Sequence, residues 1–355
     1  MSRKIVVSVD QLARPQPGGI ASYVRGLLRG LRELDGPDEI VALGPLGALR
    51  HSGHDGATAV VPFSESLTPR LWRWAALGVP RNADIVHATS MAGPFGGARV
   101  LQTAALHDLL WRDEASATTR RGARFHEQRL RLLLRRTDIR LLTSSPLLPA
   151  RLIELGVSPE RIFPIRLGVD DGGVQPASPE TVRDLLLRFG ITGPFTLHAG
   201  TREPRKNTHS LVEAHRLARR HRPELGPLVF VGPPGWGEVT TGDAVVLGSV
   251  PRDALLGLYR DASVVAYVPR AEGFGLPPVE ALRAGTRVVA SANCPSVVSN
   301  PEVVHVDPLD IDAIAAGLQH ALDQSTDDAA KVRRRASVAE LTWRNSALDH
   351  LAAWQ

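Results

Sequence analysis

The sequence predicts an α/β protein of two doubly wound domains facing across a cleft, and three observations lead there. The chain has 355 residues, too many for one ordinary domain and about right for two. Short β-rich apolar runs alternate with helical patterns through both halves, as parallel sheets flanked by helices require. A break rich in Gly, Asp, Pro and Ser, LGVDDGGVQPASPE at 167–180, separates halves of similar size. The expected units are residues 1–170, residues 176–340, and a terminal helix at 341–355.

Each element has a local reason. KIVVSV (4–9) is a strand, followed by the loop DQLARPQPGG and a helix from about Ile20 to Leu34. EIVAL, DIVHA, RVLQTAAL and IRLLTSS read as further buried strands of the first domain. After the break, PFTLHAG, PLVFVG, DAVVLGS, ASVVAYV and TRVVAS are the strands of the second, each followed by a helix or turn. TWRNSALDHLAAWQ closes the chain as a helix that offers Trp343, Leu348, Leu351 and Trp354 for packing.

Composition narrows the function. Hydrophobic residues make up 43 %, enough for a core in each half. The single cysteine, Cys294, excludes internal disulfides and points to a reducing compartment. MSRKIVVSVD reads as a strand and not a signal peptide, and no run reaches the roughly 18 apolar residues of a spanning helix. The expected location is cytoplasmic, either soluble or peripheral at the inner face of a membrane. A net charge of +5 favours anionic partners. The basic residues lack the interleaved aromatics of a stacking platform, so nucleic acid is not expected.

Four stretches carry candidate chemistry, all on loops that follow strands, where open sheets bind their ligands. In PGGIASYVRGLLRGL (17–31), Gly18 and Gly19 open a helix and let a phosphate approach its N-terminus; an ordinary glycine turn is the alternative. In HAGTREPRKNTHSLVEAH (198–215), a strand ends at Ala199-Gly200, and Asn207 is a good N-cap residue for the next helix. Arg202, Arg205 and Lys206 stand just before that helix, where its dipole disfavours cations, so an anion is expected among them. Glu203 is a local source of neutralisation, and a solvated basic turn is the competing reading. In LQTAALHDLLW (101–111), a strand delivers His107 to its carboxyl end; a lone histidine among the chain's 12 is more often structural or exposed, which is the competing reading. In AEGFGLPPVEALRAG (271–285), Glu272 lies on a Gly-Phe-Gly turn, and Glu280 lies about one turn inside the helix that Pro277 or Pro278 opens. A carboxylate at each edge of an anion-binding turn makes sense when the carboxylates face hydroxyls; a helix-start carboxylate plus a surface one is the alternative. Together the four stretches fit one ligand with a diphosphate, a sugar and a nucleoside.

GGIASYV, GTREPRKN and EGFGLPPVEALRAG, in that order, resemble the family 4 retaining glycosyltransferases of the GT-B fold, which has two Rossmann-like domains. Glu272 and Glu280 have the spacing of the family's E-x7-E motif, and GTxEPRKN is typical of its mannosyl- and rhamnosyl-type members. Weaker matches, such as DIVHATS and GSVPRDALLGLYRDASVVAYVPRAEGFG, extend over nearly the whole chain. The resemblance implies that Gly19 lies near a donor diphosphate, which Arg205 and Lys206 bind from the other side. Glu272 would contact the sugar hydroxyls, Phe274, Gly275 and Leu276 would line the sugar–phosphate pocket, and Glu280 would hold the ribose. His107 would lie on the reacting face of the sugar, and the loop from Gly248 to Val250 would border the base.

No Asp-x-Asp motif stands at a strand end, so the expected reaction needs neither metal nor cofactor: Arg205, Lys206 and a helix dipole stabilise the leaving diphosphate. GDP-mannose is the favoured donor, and a glycan or lipid-linked glycan is the expected acceptor. Three departures from the family pattern stand out. Thr201 replaces an arginine, Val268-Pro269 replaces Pro-Ser, and PEVVHVDPLD lacks the Gly-Asp-Ala-Ala element. The nine arginines within 112–140 form either a basic amphipathic helix that docks on an anionic membrane or a solvated helix face. Two other functions remain open at this level: a sugar-nucleotide 2-epimerase and a non-catalytic sugar-nucleotide or glycan-binding protein.

Overall fold

The structure is a computed structural model that describes residues 2–13, 18–64, 66–72, 75–95, 100–114, 117–169, 172–235 and 239–355. Pro17 of the glycine loop and Asp170-Asp171 of the break lie outside these residues. The chain divides into two compact units. The first comprises Met1–Asp108, Arg120–Asp170 and Glu340–Gln355; the second comprises Leu109–Thr119 and Asp171–Ala339. Leu109–Thr119 therefore group with the second unit, not with their sequence neighbours. There Glu114 lines a cavity of about 540 Å³ with Arg270, Asn293, Asp307 and Leu309.

The first unit is a seven-stranded parallel sheet: β1 (Lys4–Ser8), β2 (Glu39–Gly44), β3 (Thr58–Val60), β4 (Ile85–Ala88), β5 (Leu101–Leu106), β6 (Ile139–Thr143) and β7 (Ile162–Pro164). Their order is β3-β2-β1-β4-β5-β6-β7, so the winding reverses between β1 and β4. The second unit is a six-stranded parallel sheet: β8 (Thr196–Ala199), β9 (Leu228–Val231), β10 (Val245–Gly248), β11 (Val264–Tyr267), β12 (Val288–Ser291) and β13 (Val303–Val306). Its order, β10-β9-β8-β11-β12-β13, reverses between β8 and β11. Both sheets are doubly wound, and the ten strands read from the sequence all form. The other three, β3, β7 and β13, are edge strands with alternating or partial burial. Each is only three or four residues long and partly buried, so it offers little periodicity to read.

In the second unit, Leu211, Phe230, Val264, Ala266, Val289 and Leu318 share one core between the sheet and its helices. In the first, the Trp343–Ala353 helix packs on the Gly18–Glu33 helix, and two glycines decide how closely. A Cβ at Gly26 would stand 2.1 Å from the Trp343 ring, and one at Gly30 would stand 2.1 Å from the Trp343 carbonyl oxygen. Trp343 and Trp354 are buried as expected, but Leu348 is 40 % exposed, which corrects the packing face read from the sequence. The buried face is instead Trp343, Ser346, Ala347, His350 and Ala353, because polar partners in the unit's interior receive His350.

Candidate functional site

Two loops build the site at the β8/β11 reversal. The register pairs Thr196 with Val264 and Leu197 with Val265, which brings Ala199 and Tyr267 level at the carboxyl ends of their strands. After β8, Gly200 turns the chain at φ +149°, and Pro204–Lys206 form a short 3₁₀ turn before the Thr208–His221 helix. After β11, Pro269 to Gly275 lead into the Leu276–Ala284 helix, with proline in its first turn. The Arg270 N–H donates to the Arg205 carbonyl at 2.9 Å and ties the two loops together.

Asn207 is a second tie, and its role differs from the one read in the sequence. It lies in the left-handed region at φ 59°, and its side chain makes no capping bond to the helix. Its buried amide donates to the carbonyls of Val268 (3.1 Å) and Pro308 (2.6 Å) and accepts from Arg270 Nε (3.3 Å). Tertiary partners have outcompeted the local cap. The Gly-Phe-Gly turn is pinned as well. Gly275 is at φ +93°, where a Cβ would stand 2.6 Å from Cys294 Sγ. The Ser296 hydroxyl donates to the Gly275 carbonyl at 2.6 Å. Burial pushes the Cys294 thiol up to about 12, so it is an inert packing group.

Between the loops lies a buried ionic cluster. Glu272 Oε2 accepts from Lys206 Nζ, from the Tyr267 hydroxyl and from Arg205 Nη1 at 3.0 Å. Its Oε1 accepts from the Gly273 N–H at 3.0 Å. Arg205 Nη2 also donates to Glu203 Oε1 at 2.9 Å, and Lys206 Nζ donates to the Tyr267 hydroxyl. Side-chain exposures are 11 % for Glu272, 8 % for Lys206, 14 % for Arg205 and 4 % for Glu203, so these charges interact with little solvent screening.

Burial opposes ionisation of Glu272, but Lys206 and Arg205 outweigh it and hold the carboxyl well below the usual range. Burial lowers the pKa of Lys206, with Glu272 pulling it back up, and burial raises Glu203 and Tyr267. Glu203 Oε2 is buried without a hydrogen-bond partner, consistent with a carboxyl that ionises reluctantly. The anion expected beside Arg205 and Lys206 is thus supplied first by the protein itself. Only three of the chain's 42 basic residues are lysines, and one of the three, Lys206, is here.

The other candidates lie elsewhere in the second unit and in the first. Phe274 and Leu276 are half-buried on the turn and at the start of its helix. Glu280 accepts from Arg252 Nη2 and from the Tyr259 hydroxyl, each at 2.8 Å. Val250 is half-buried just before the Arg252–Asp261 helix. In the first unit, Gly18 and Gly19 begin the Gly18–Glu33 helix and are exposed, with Gly18 at φ +59°. His107 follows β5; its Nε2 donates to the Thr89 carbonyl at 3.0 Å, and its Nδ1 accepts from the Ser144 hydroxyl at 3.1 Å. Burial lowers its pKa, so it is held as a neutral imidazole of defined tautomer. Among the described residues, no group of three or more His, Cys, Asp or Glu side chains is placed to hold a metal ion.

Sequence reading missed the tyrosines. The chain has three, and all are buried: Tyr267 bonds to Glu272 and Lys206, Tyr259 bonds to Glu280, and the Tyr23 ring meets that of His107 edge-on at 4.8 Å. A buried phenol must find a partner for its hydroxyl, and in so tyrosine-poor a chain that scarcity was the available signal.

Residues 189–338 match the profile of the family described as Glycosyl transferases group 1. That match lies within the second unit and spans less than half of the chain, which there resembles the group 1 glycosyltransferases. It is 31 % identical over 233 residues to O-antigen chain mannosyltransferase B of Escherichia coli, a stretch covering 61 % of this chain and 60 % of that relative. It is 28 % identical over 321 residues to the MMP alpha-(1->4)-mannosyltransferase of Mycolicibacterium hassiacum, covering 86 % and 72 % of the two chains. Among solved structures, Anabaena HepE in complex with UDP and glucose aligns with a TM-score of 0.69 at 17 % identity, covering 99 % of this chain and 98 % of that one. At that identity the likeness shows the fold, and the two doubly wound sheets are those of GT-B.

Proposed function

We propose that the protein transfers a hexose, with mannose favoured, from a nucleoside diphosphate sugar to a glycan or lipid-linked acceptor, with retention at the anomeric carbon and without a metal. GDP-mannose is the favoured donor. The observation that carries this reading is the buried Arg205–Lys206 pair at the β8/β11 reversal, held on Glu272. Two cations at a doubly wound switch point provide a fixed counter-charge for a leaving diphosphate, the part a metal plays elsewhere. Glu272 serves the sugar hydroxyls, Glu280 the ribose, and Phe274, Gly275 and Leu276 the sugar–phosphate wall. His107 orients the substrate. Glu272 is not assigned as a nucleophile. The two relatives described above are both named mannosyltransferases, which supports the choice of sugar.

The test is a panel of sugar nucleotides incubated with the protein and a mannan-type acceptor in excess chelator, with nucleoside diphosphate release and the product anomer as readouts. The expected result is release from GDP-mannose that depends on acceptor and not on added magnesium. Binding without turnover would make the protein a binding module, and conversion of the sugar nucleotide without acceptor would make it an epimerase.

The acceptor's surroundings are proposed from the Arg120–Arg135 helix. Arg120, Arg121, Arg124, Arg131 and Arg135 are exposed on it, while Arg129, Leu130 and Leu133 are buried. No helix among the described residues is long and apolar enough to cross a membrane. A basic outer face of this kind fits an anionic lipid surface. Salt-sensitive co-sedimentation with phosphatidylglycerol vesicles, but not with phosphatidylcholine vesicles, is expected. Replacing Arg121 and Arg124 together by alanine is expected to weaken it about thirtyfold, at roughly 1 kcal/mol per arginine. Equal binding to both vesicle types would leave the face as a solvated one.

A further inference from the structure

Both cations of the site are already engaged by protein carboxylates. Lys206 Nζ and Arg205 Nη1 converge on one oxygen, Glu272 Oε2, and Arg205 Nη2 holds Glu203. The Tyr267 hydroxyl joins them: it accepts from Lys206 and donates its one proton to Glu272 Oε2. Its ring is held beneath Lys206, with Nζ 4.8 Å from the centroid, and stacks on the buried His198 at an interplanar angle of 17°. A diphosphate reaching for Lys206 and Arg205 must share or replace bonds made to Glu272, and it meets a buried negative charge at close range. A diphosphate that carries a sugar brings hydroxyl donors with it, to which a carboxylate can turn.

We infer that Glu272 is a built-in competitor of the nucleoside diphosphate, and that the sugar hydroxyls of the intact donor draw it off the Arg205–Lys206 pair. Tyr267 is a positioning residue that keeps Lys206 in place when Glu272 turns. This inference rests on the sugar-nucleotide reading above. It gives the site a preference for intact donor over spent nucleotide: once the sugar has left, Glu272 returns to the cations and helps to release the diphosphate. No bond is made or broken in the exchange beyond hydrogen bonds and ion pairs.

The test is calorimetric titration of GDP, UDP and the corresponding sugar nucleotides into the whole protein, with chelator present. Glu272→Gln keeps the shape and removes the charge. It is expected to bind the free nucleoside diphosphate about tenfold more tightly than the wild type, the factor of one charge-assisted bond. It is also expected to bind the sugar nucleotide no better. Tyr267→Phe removes one support of Glu272 without changing either charge, and an increase of about threefold in free diphosphate affinity is expected.

The wild type carries the same test if Glu272→Gln fails to fold: it should bind the sugar nucleotide more tightly than the free diphosphate. Unchanged or weaker diphosphate binding in folded Glu272→Gln, while the wild type binds nucleotides, overturns this inference and leaves the sugar-nucleotide reading intact. Tighter binding of free diphosphate than of sugar nucleotide by the wild type overturns it in the same way. A wild type that binds no nucleotide at all overturns both.

Discussion

Lys206→Met is expected to lower kcat/KM for the sugar nucleotide about 100- to 1000-fold, mostly through kcat. The methionine keeps most of the stem of a side chain that is 8 % exposed. It removes the ammonium, which bonds to Glu272 Oε2 and the Tyr267 hydroxyl and is the proposed counter-charge of the departing diphosphate. Preorganised donors in a site screened from water are worth roughly 3–4 kcal/mol in the transition state, more than they are worth against the ground state. The same substitution leaves Glu272 with Arg205, Tyr267 and the Gly273 N–H as its partners. Unpairing part of a buried cluster is expected to destabilise the fold by about 3 kcal/mol. Activity is therefore to be measured well below the melting temperature, with urea unfolding run alongside. A loss of less than about fivefold in folded protein would remove Lys206 from the leaving-group role.

The second large effect is a loss of stability in acid, to which two buried histidines of the first unit contribute together. Tyr23 bonds through its hydroxyl to Nε2 of both His87 and His350, each at 2.7 Å. His87 Nδ1 lies 2.8 Å from the Thr103 hydroxyl, which accepts from Trp354 Nε1 at 3.2 Å. His350 Nδ1 lies 2.7 Å from the Ser346 carbonyl, which can only accept. That last contact sets the direction of the whole chain. His350 Nδ1 donates, so its Nε2 accepts from Tyr23; Tyr23 in turn accepts from His87 Nε2, and His87 Nδ1 accepts from Thr103. Every proton is placed only when both imidazoles are neutral.

Burial lowers His87 well below the usual histidine range and lowers His350 to about 4. The unfolded chain titrates near 6.5, so between about pH 6.5 and 4 it binds more protons than the folded state. Stability from these groups is complete above about pH 6.5 and is lost as pH falls toward 4. His350 alone accounts for about 3 kcal/mol over that interval. Between pH 7 and 5 the two histidines together are expected to lower the melting temperature of the first unit by about 10 °C, read from tryptophan emission. His350→Gln is expected to flatten the slope by about one proton. A melting temperature that moves by less than about 2 °C would show that the histidines are not held neutral.

Much of this site was legible because loop chemistry is written in contiguous residues. Gly200, the Arg205–Lys206 pair and Gly275 announce their turns and charges locally, and the helix after Gly275 is signalled by Pro277 and Pro278. Asn207 shows where such reading stops. It has the composition of a cap, and the fold spends its amide on Val268 and Pro308. Leu348 shows the same limit: helical periodicity offered it for packing, while the buried position went to His350, whose partner Tyr23 is 327 residues away.

The sequence by itself determined two doubly wound α/β units, the strands of their interiors, and the loops at which to look for a site. Periodicity and turn residues act over a few positions, and they do so in any context. Only the tertiary structure decided that Glu272 sits on Lys206 and Arg205, 66 and 67 positions away in sequence, with Tyr267 between them. It also decided that a tyrosine and two histidines close the interior of the first unit. A buried charge or phenol takes whichever partner the strand order and register bring within about 3 Å, and no local pattern encodes that choice.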